Sequence, residues 1–133
     1  MKKILAAAVT LLAVAACAPE EPVDMTADAE AKLATVVAGR QAGDDVSCVN
    51  LLNVRGNKSV GEGVIVFEGA GDTLWVNRPR TGCPELRFGR ALKTRTSTSQ
   101  LCRGDIAVVF DPVAGIEYGG CSLGSFTPYK KVG

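Results

Sequence analysis

The stretch that decides the fold is Leu101-Cys102-Arg103-Gly104-Asp105-Ile106-Ala107-Val108-Val109-Phe110. A cysteine and a short polar turn lead directly into an apolar, β-branched run. Glycine accepts positive φ in such a turn, and a neighbouring aspartate can accept hydrogen bonds from nearby backbone amides. The stretch therefore predicts a turn fixed by a disulfide and followed by a core strand. Arg-Gly-Asp is interpreted here as part of that turn.

Short β-branched runs separated by glycine-rich turns continue on both sides of this stretch, from Asp44 onward, as is typical of a small all-β domain. We predict strands near residues 46–54, 63–67, 73–77, 86–94, 105–110 and 120–126, with turns at 55–58, 69–72, 78–84 and 111–115. The predicted architecture is mainly β: an antiparallel meander rolled into a partly closed barrel, which would hide exposed edges. The predicted core consists of Val64, Val66, Leu74, Val76, Ile106, Val108 and Phe110.

One helix is predicted before the β-domain, over residues 26–43, leaving residues 44–133 as the disulfide-stapled unit. Thr26 can cap the helix, and a glycine can end it, at Gly39 or Gly43. Its narrow apolar stripe predicts packing against the β-domain, because the spacing places three side chains on one face: Leu33, Val36 and Val37.

The first sixteen residues have the organisation of a secretory signal peptide. Two lysines at positions 2 and 3 precede an apolar run from Ile4 to Ala16, which is too short to cross a bilayer as an ordinary helix. Residues 17–25 then form an acidic, proline-bearing segment that is predicted to be an extended tether.

The end of the apolar run, Val14-Ala15-Ala16-Cys17, resembles the lipobox of bacterial lipoproteins. The resemblance implies that Cys17 becomes the first residue and carries diacylglycerol and palmitate. Ala18 stands where inner-membrane retention would typically show aspartate, so the resemblance favours the outer membrane. The alternative is ordinary cleavage at an Ala-x-Ala site, which would leave a soluble periplasmic protein.

Four cysteines remain if Cys17 takes the lipid, and an even set in an exported chain predicts two disulfides. A four-cysteine zinc site is disfavoured because the wide gaps lack C-x-x-C pairs. Among three connectivities we favour Cys83 with Cys102, which would close a polar stretch, and Cys48 with Cys121, which would join the first and last strands.

Four segments that include these cysteines resemble motifs of a family of small exported proteobacterial proteins classed as a domain of unknown function. The likeness spans residues 37–128 and implies an oxidising compartment and paired cysteines, but no activity. The segments are Ser47-Cys48, Cys83-Pro84-Glu85-Leu86-Arg87, Leu101-Cys102-Arg103-Gly104-Asp105 and Cys121-Ser122-Leu123-Gly124-Ser125-Phe126.

The sequence gives no recognisable catalytic constellation, and we predict no enzyme, cofactor, metal or nucleic-acid partner. Histidine, the commonest general base and metal ligand, does not occur. Ser97, Thr98 and Ser99 lack a base partner. The spacing selects no hydrolytic pair from the four carboxylates we considered: Glu85, Asp105, Asp111 and Glu117.

Charge is unevenly distributed along the chain. Residues 17–32 carry five acids and one lysine, whereas residues 78–103 carry one acid and seven cations, which gives minus four and plus six. One interpretation is a basic face that binds an anionic envelope component or an acidic protein. The other is a solvated surface screened by the acidic tether. The seven cations are Arg78, Arg80, Arg87, Arg90, Lys93, Arg95 and Arg103.

The expected function is that of a lipid-anchored envelope protein whose domain faces the periplasm and binds a partner without catalysis. One alternative is an inhibitor of a cell-wall hydrolase that inserts a protruding loop, residues 93–100, into the hydrolase cleft. A second alternative is a weak carboxylate-dependent hydrolase, which would need several acids in one deep pocket.

Overall fold

The computed structural model describes residues 25–61, 63–86 and 90–133. The predicted signal peptide, the lipidation site Cys17, all but the last residue of the predicted tether, and Arg87 lie outside the described residues. No helix among the described residues is long and apolar enough to span a bilayer.

One α-helix, two short 3-10 helices (Leu51–Asn53 and Ala70–Asp72) and ten short strands make up the regular structure of the described residues. The helix α1 spans Met25–Val36. The strands are β1 Arg40–Ala42, β2 Cys48–Asn50, β3 Val54–Gly61, β4 Val64–Gly69, β5 Leu74–Asn77, β6 Ala91–Thr94, β7 Gln100–Cys102, β8 Ile106–Phe110, β9 Glu117–Ser122 and β10 Phe126–Lys131. The mainly β prediction with one N-terminal helix is confirmed.

The helix is shorter than predicted, ending at Val36 instead of extending to residue 43. Gly39 adopts a positive φ of 74°, which reverses the chain after the helix. Arg40–Ala42 then pair with β10 as a strand, so their backbone groups are not available to extend the helix.

A five-stranded antiparallel sheet, ordered β1-β10-β5-β4-β3, forms the centre of the fold. The helix covers one face of this sheet, and Ala29 and Leu33 pack there against Val60 and the side chains predicted for the core. Burial of Val64, Val66, Leu74 and Val76 is confirmed. Packing of the helix stripe on the β-domain is confirmed as well.

Two smaller sheets, β2-β7 and β6-β8-β9, cover the opposite face. Phe67 and Phe126 project from the large sheet, with ring centroids 5.6 Å apart. They join Leu101, Val109 and Leu123 in the larger of the two cores. The described strands thus form layers, and the sheets do not close into the barrel that we predicted.

The face of β8 that points into the core was predicted wrongly. Ala107 and Val109 are buried, whereas Ile106 is 51% exposed and Val108 and Phe110 are only partly buried. Ala107 lies opposite Cys121 on β9, and Cys121 is bonded to the buried Cys83. Directly opposite residues of antiparallel strands point to the same face, so Ala107 shares the core face with Cys121.

The predicted turn at residues 55–58 is also wrong, because these residues belong to β3. Strand β3 lies at the edge of the large sheet, where polar side chains remain exposed. A register shift between Val54 and Gly56 gives this strand a bulge, which accommodates the glycine.

Both disulfides are present, but their connectivity differs from the one we favoured: Cys48 bonds Cys102, and Cys83 bonds Cys121. Cys48 and Cys102 are directly opposite each other on the antiparallel strands β2 and β7. Strand β9, which carries Cys121, pairs with β8 and not with the first strand, so Cys121 reaches the loop before β6 instead.

Candidate partner-binding surface

The predicted basic segment begins at Arg78, directly after β5. Arg78 donates two hydrogen bonds, 2.9 and 3.0 Å long, to the two carboxylate oxygens of Glu30 on α1. Hydrogen bonding from Arg78 holds the pKa of Glu30 below its usual value, and the same bond raises the pKa of Arg78. This cation therefore ties the helix to the sheet.

The backbone that carries Arg78 is locked by a buried amide. The side chain of Asn77 is fully buried; it donates to the Gly124 carbonyl at 2.8 Å and accepts from the Gly124 N–H at 2.9 Å. A Cβ atom at Gly124 would collide with the carbonyl oxygen of Arg78. Only glycine therefore fits at this crossing of β5 with the loop before β10.

Arg90 is partly buried and binds two neighbours. Its guanidinium donates to the Glu85 carboxylate, and it lies 3.5 Å from the centroid of the Tyr118 ring. Such stacking combines an ion pair with a cation–π contact. Arg90 thereby links the loop after Cys83 to β9.

Lys93 and Arg95 share one carboxylate, that of Glu117. Arg95 approaches it at 2.9 Å, and Lys93 also lies 5.4 Å from the Phe110 ring centroid. The hydrogen bond from Lys93, followed by the charges of both cations, lowers the pKa of Glu117. The β6 and β9 sides of the three-stranded sheet are thus joined across β8.

Arg80 and Arg103 are exposed, and neither has a carboxylate within ion-pair distance among the described residues. Arg103 lies in the predicted turn, which the structure confirms: Gly104 has a φ of 92°, and Asp105 accepts from the Cys102 N–H at 2.7 Å. These two arginines are the cations of the segment best placed to meet an external anion.

The folded surface is less positive than the sequence count. The six described cations of the segment and Glu85 sum to plus five, and folding adds Glu30 and Glu117, which lowers the local sum to plus three. Sequence reasoning missed Glu30 and Glu117 because they lie far along the chain from their arginines. Glu85 and Arg90, five residues apart, could have been paired from the sequence.

A cleft of about 450 Å³ lies beside the ion pair of Arg78 and Glu30. It separates α1 from the loop at residues 78–84, and most of its wall is apolar, including Ala29, Val64 and Pro79. The disulfide residue Cys83 forms part of the same wall.

The four carboxylates considered for hydrolysis each bind a different structural group. Glu85 binds Arg90, Asp105 binds a backbone N–H, and Glu117 binds Lys93 and Arg95. Asp111 accepts from two backbone amides, which hold its pKa below the usual value. No group of three metal-ligating side chains occurs among the residues described. These carboxylates bind cations and backbone N–H groups, but no two of them form a pair suited to proton transfer.

The chain matches no protein-family model, no curated protein and no solved structure.

Proposed function

We propose that this chain is a lipid-anchored outer-membrane protein whose β-domain faces the periplasm and binds a partner without catalysing a reaction. The observation that carries the proposal is the pair of disulfides, which indicates an oxidising compartment such as the periplasm. The lipobox-like sequence ending at Cys17 supports the anchor. The resemblance to small exported proteins of unknown function supports the compartment.

The anchor is tested by replacing Cys17 with Ser. The several acyl chains of a lipoprotein hold it firmly in the membrane. The variant has no cysteine to receive them, so it should be released from the membrane or stall unprocessed. Cell fractionation and the mass of the mature N-terminus report the result. A processed variant that still fractionates with membranes contradicts the anchor.

The partner is an anionic envelope component or an acidic protein, recognised by the basic segment. Support comes from Arg80 and Arg103, which are exposed and have no ion-pair partner in the described structure. Arginine can grip phosphate or carboxylate through two parallel hydrogen bonds. Arg90 and Arg95 are less suitable, because each already binds a glutamate.

The test exchanges Arg80 and Arg103 together for Gln and compares capture of envelope partners by crosslinking in intact cells. The matched control exchanges Arg55 and Lys130, two exposed cations outside the segment, and removes the same charge. We expect only the first pair to weaken capture, and wild-type capture to fade with added salt. Unchanged capture by the Arg80/Arg103 variant contradicts the proposal.

A second candidate is inhibition of a cell-wall hydrolase by the loop at residues 95–99. The loop is largely exposed, yet it is braced, because the hydroxyls of Thr96 and Thr98 each donate to the Gln100 carbonyl at 3.0 Å. The Leu51 N–H also bonds the Ser99 carbonyl at 2.9 Å. Rigid loops lose little entropy on binding.

The second candidate is tested by adding the purified domain to peptidoglycan-degrading enzymes. Inhibition by wild type that is reduced in a Thr96→Ala/Thr98→Ala variant supports it. Equal hydrolysis with and without the domain contradicts it. No contact in the described structure favours the carboxylate-dependent hydrolase.

A further inference from the structure

We propose that the hairpin tip between β8 and β9, residues 111–116, is a membrane-contact element that enters the boundary between headgroups and acyl chains of a phospholipid bilayer. The tip contains Pro112, Val113, Ala114 and Ile116, and all four are exposed. Val113 is 96% exposed and Ile116 is 53% exposed. The turn has the usual turn residues Asp111, Pro112 and Gly115, but it also exposes two large apolar side chains, those of Val113 and Ile116.

The backbone donors at the tip are satisfied within the turn. The Val113 and Ala114 N–H groups donate to the Asp111 carboxylate at 2.7 and 2.9 Å. The Asp111 N–H donates to the Ile116 carbonyl, and the Gly115 N–H donates to the Asp111 carbonyl, each at 2.8 Å. Pro112 has no N–H. From 111 to 115 no amide needs an external acceptor.

This pattern of internal hydrogen bonds favours lipid, and not a protein pocket, as the environment that the tip enters. Acyl chains offer no hydrogen-bond acceptors, so an entering segment must bond its own donors. The fixed turn also presents its apolar side chains without further loss of conformational freedom.

A collar of Arg90, Lys93, Arg95 and Tyr118 lies near the base of the tip. Ala91 pairs with Phe110, the last residue before the tip, and Arg90 is close enough to add to the lowering of the Asp111 pKa by the backbone amides. Tyrosine and long cationic side chains are favoured at headgroup depth, where an apolar stem meets a polar end.

Together with Glu85 and Glu117, which pair with the collar cations, the collar and tip are electrically neutral. Arg90, Lys93 and Arg95 contribute three positive charges, and Glu85, Asp111 and Glu117 contribute three negative charges. Insertion should therefore depend on apolar burial and be nearly independent of anionic lipid and of salt. This distinguishes it from the charge-dependent binding proposed above for Arg80 and Arg103.

The inference is compatible with the proposed anchor and gains strength from it. Eight residues, 17–24, separate α1 from the start of the predicted mature chain. Fully extended, they would span at most about 28 Å, so a chain anchored at Cys17 would keep the domain close to the bilayer. The tip would then provide a second, weaker contact that orients the domain.

The experiment places a tryptophan at the tip and asks whether bilayer lipid quenches it. The chain from residue 17, with Cys17→Ser and an N-terminal hexahistidine tag, is held on phosphatidylcholine vesicles through a nickel-chelating lipid. All described elements and both disulfides are retained. The natural chain has no histidine, so only the tag binds nickel. Lipidation of Cys17 is thereby removed from the test.

Val113→Trp is compared with two controls. In Leu52→Trp, the replaced side chain is 88% exposed in a different part of the fold. In wild type, Trp75 gives the background emission. With brominated acyl chains, we expect loss of emission and a shift to shorter wavelength for Val113→Trp alone. The effect should persist with or without phosphatidylglycerol and between about 0.1 and 1 M salt. Adding Ile116→Ser should reduce it.

Other results overturn the inference. Equal quenching at positions 52 and 113 means non-specific contact. Quenching that requires phosphatidylglycerol and disappears at high salt means adsorption by charge, which would support the basic-segment proposal instead. Absence of quenching, including a case in which the tip captures an envelope protein, shows that the tip does not enter lipid.

Discussion

At the scale of single residues, the crossing of Gly124 with the end of β5 is the tightest point described. We expect Gly124→Ala to destabilise the protein by about 3 kcal/mol, because the new methyl group meets backbone and separates Asn77 from its two hydrogen bonds. Denaturant unfolding under oxidising conditions measures the change.

Gly63 provides the control for this substitution, since a Cβ there has no atom within 4 Å and its φ is not positive. Gly63→Ala should change the free energy of unfolding by less than about 0.5 kcal/mol. Equal effects at both positions would mean that the crossing is looser than described.

Residue-level contacts also explain why the basic segment was only partly predictable. Arg80 and Arg103 are exposed, whereas Arg78 binds the helix through Glu30, which lies 48 positions earlier. A charge count along the sequence includes only neighbours in the chain. Folding brings in counter-charges from other elements, and those decide the local sum.

At the scale of elements, the ion pair between α1 and the sheet should make helix docking sensitive to acid. The pKa of Glu30 is lowered in the folded protein, so its contribution is present above the ordinary carboxyl pKa and is lost as pH falls through the lowered value. Both side chains are more than 40% exposed, which limits the contribution to about 1 kcal/mol.

Arg78→Gln should therefore lower the free energy of unfolding by up to about 1 kcal/mol at pH 7, and the difference from wild type should shrink as pH falls through the lowered pKa of Glu30. Urea unfolding over a series of pH values measures this, with Glu30→Gln as the matched partner variant. A difference that does not change with pH would contradict the contribution of the ion pair.

Core residues were predicted correctly in β4 and β5, where Val64, Val66, Leu74 and Val76 are buried and lie under the helix. In β4 the choice of face mattered little, because Ile65 and Phe67 are buried as well, in the other core. All five residues of β8 are apolar, so alternation cannot choose a face. Ala107 faces the core together with Cys121 opposite it, a pairing that no local pattern in β8 reports.

At the scale of the whole molecule, the two disulfides close loops with sequence separations of 54 and 38 residues. In the chain-entropy model each contributes about 4 kcal/mol, which is a large part of a small domain's net stability. Replacing Cys83 and Cys121 with Ala should lower the free energy of unfolding by about that amount. Denaturant unfolding measures it.

Peptide mapping without reduction checks the connectivity itself. The expected products link Cys48 to Cys102 and Cys83 to Cys121. A peptide that links Cys83 to Cys102 would contradict the structure. The sequence predicted the number of bridges from an even cysteine count, but pairing depends on which strands are neighbours, and β10 was not anticipated as a separate last strand.

Strand β10 lies between β1 and β5, so the last regular element of the chain is an interior strand of the large sheet. Among the described strands, β1 pairs only with β10, and β10 is also the second neighbour of β5. This sheet cannot be completed before the residues of β10 have been synthesised. A product that stops before Phe126 therefore leaves the edge of β5 exposed to other chains.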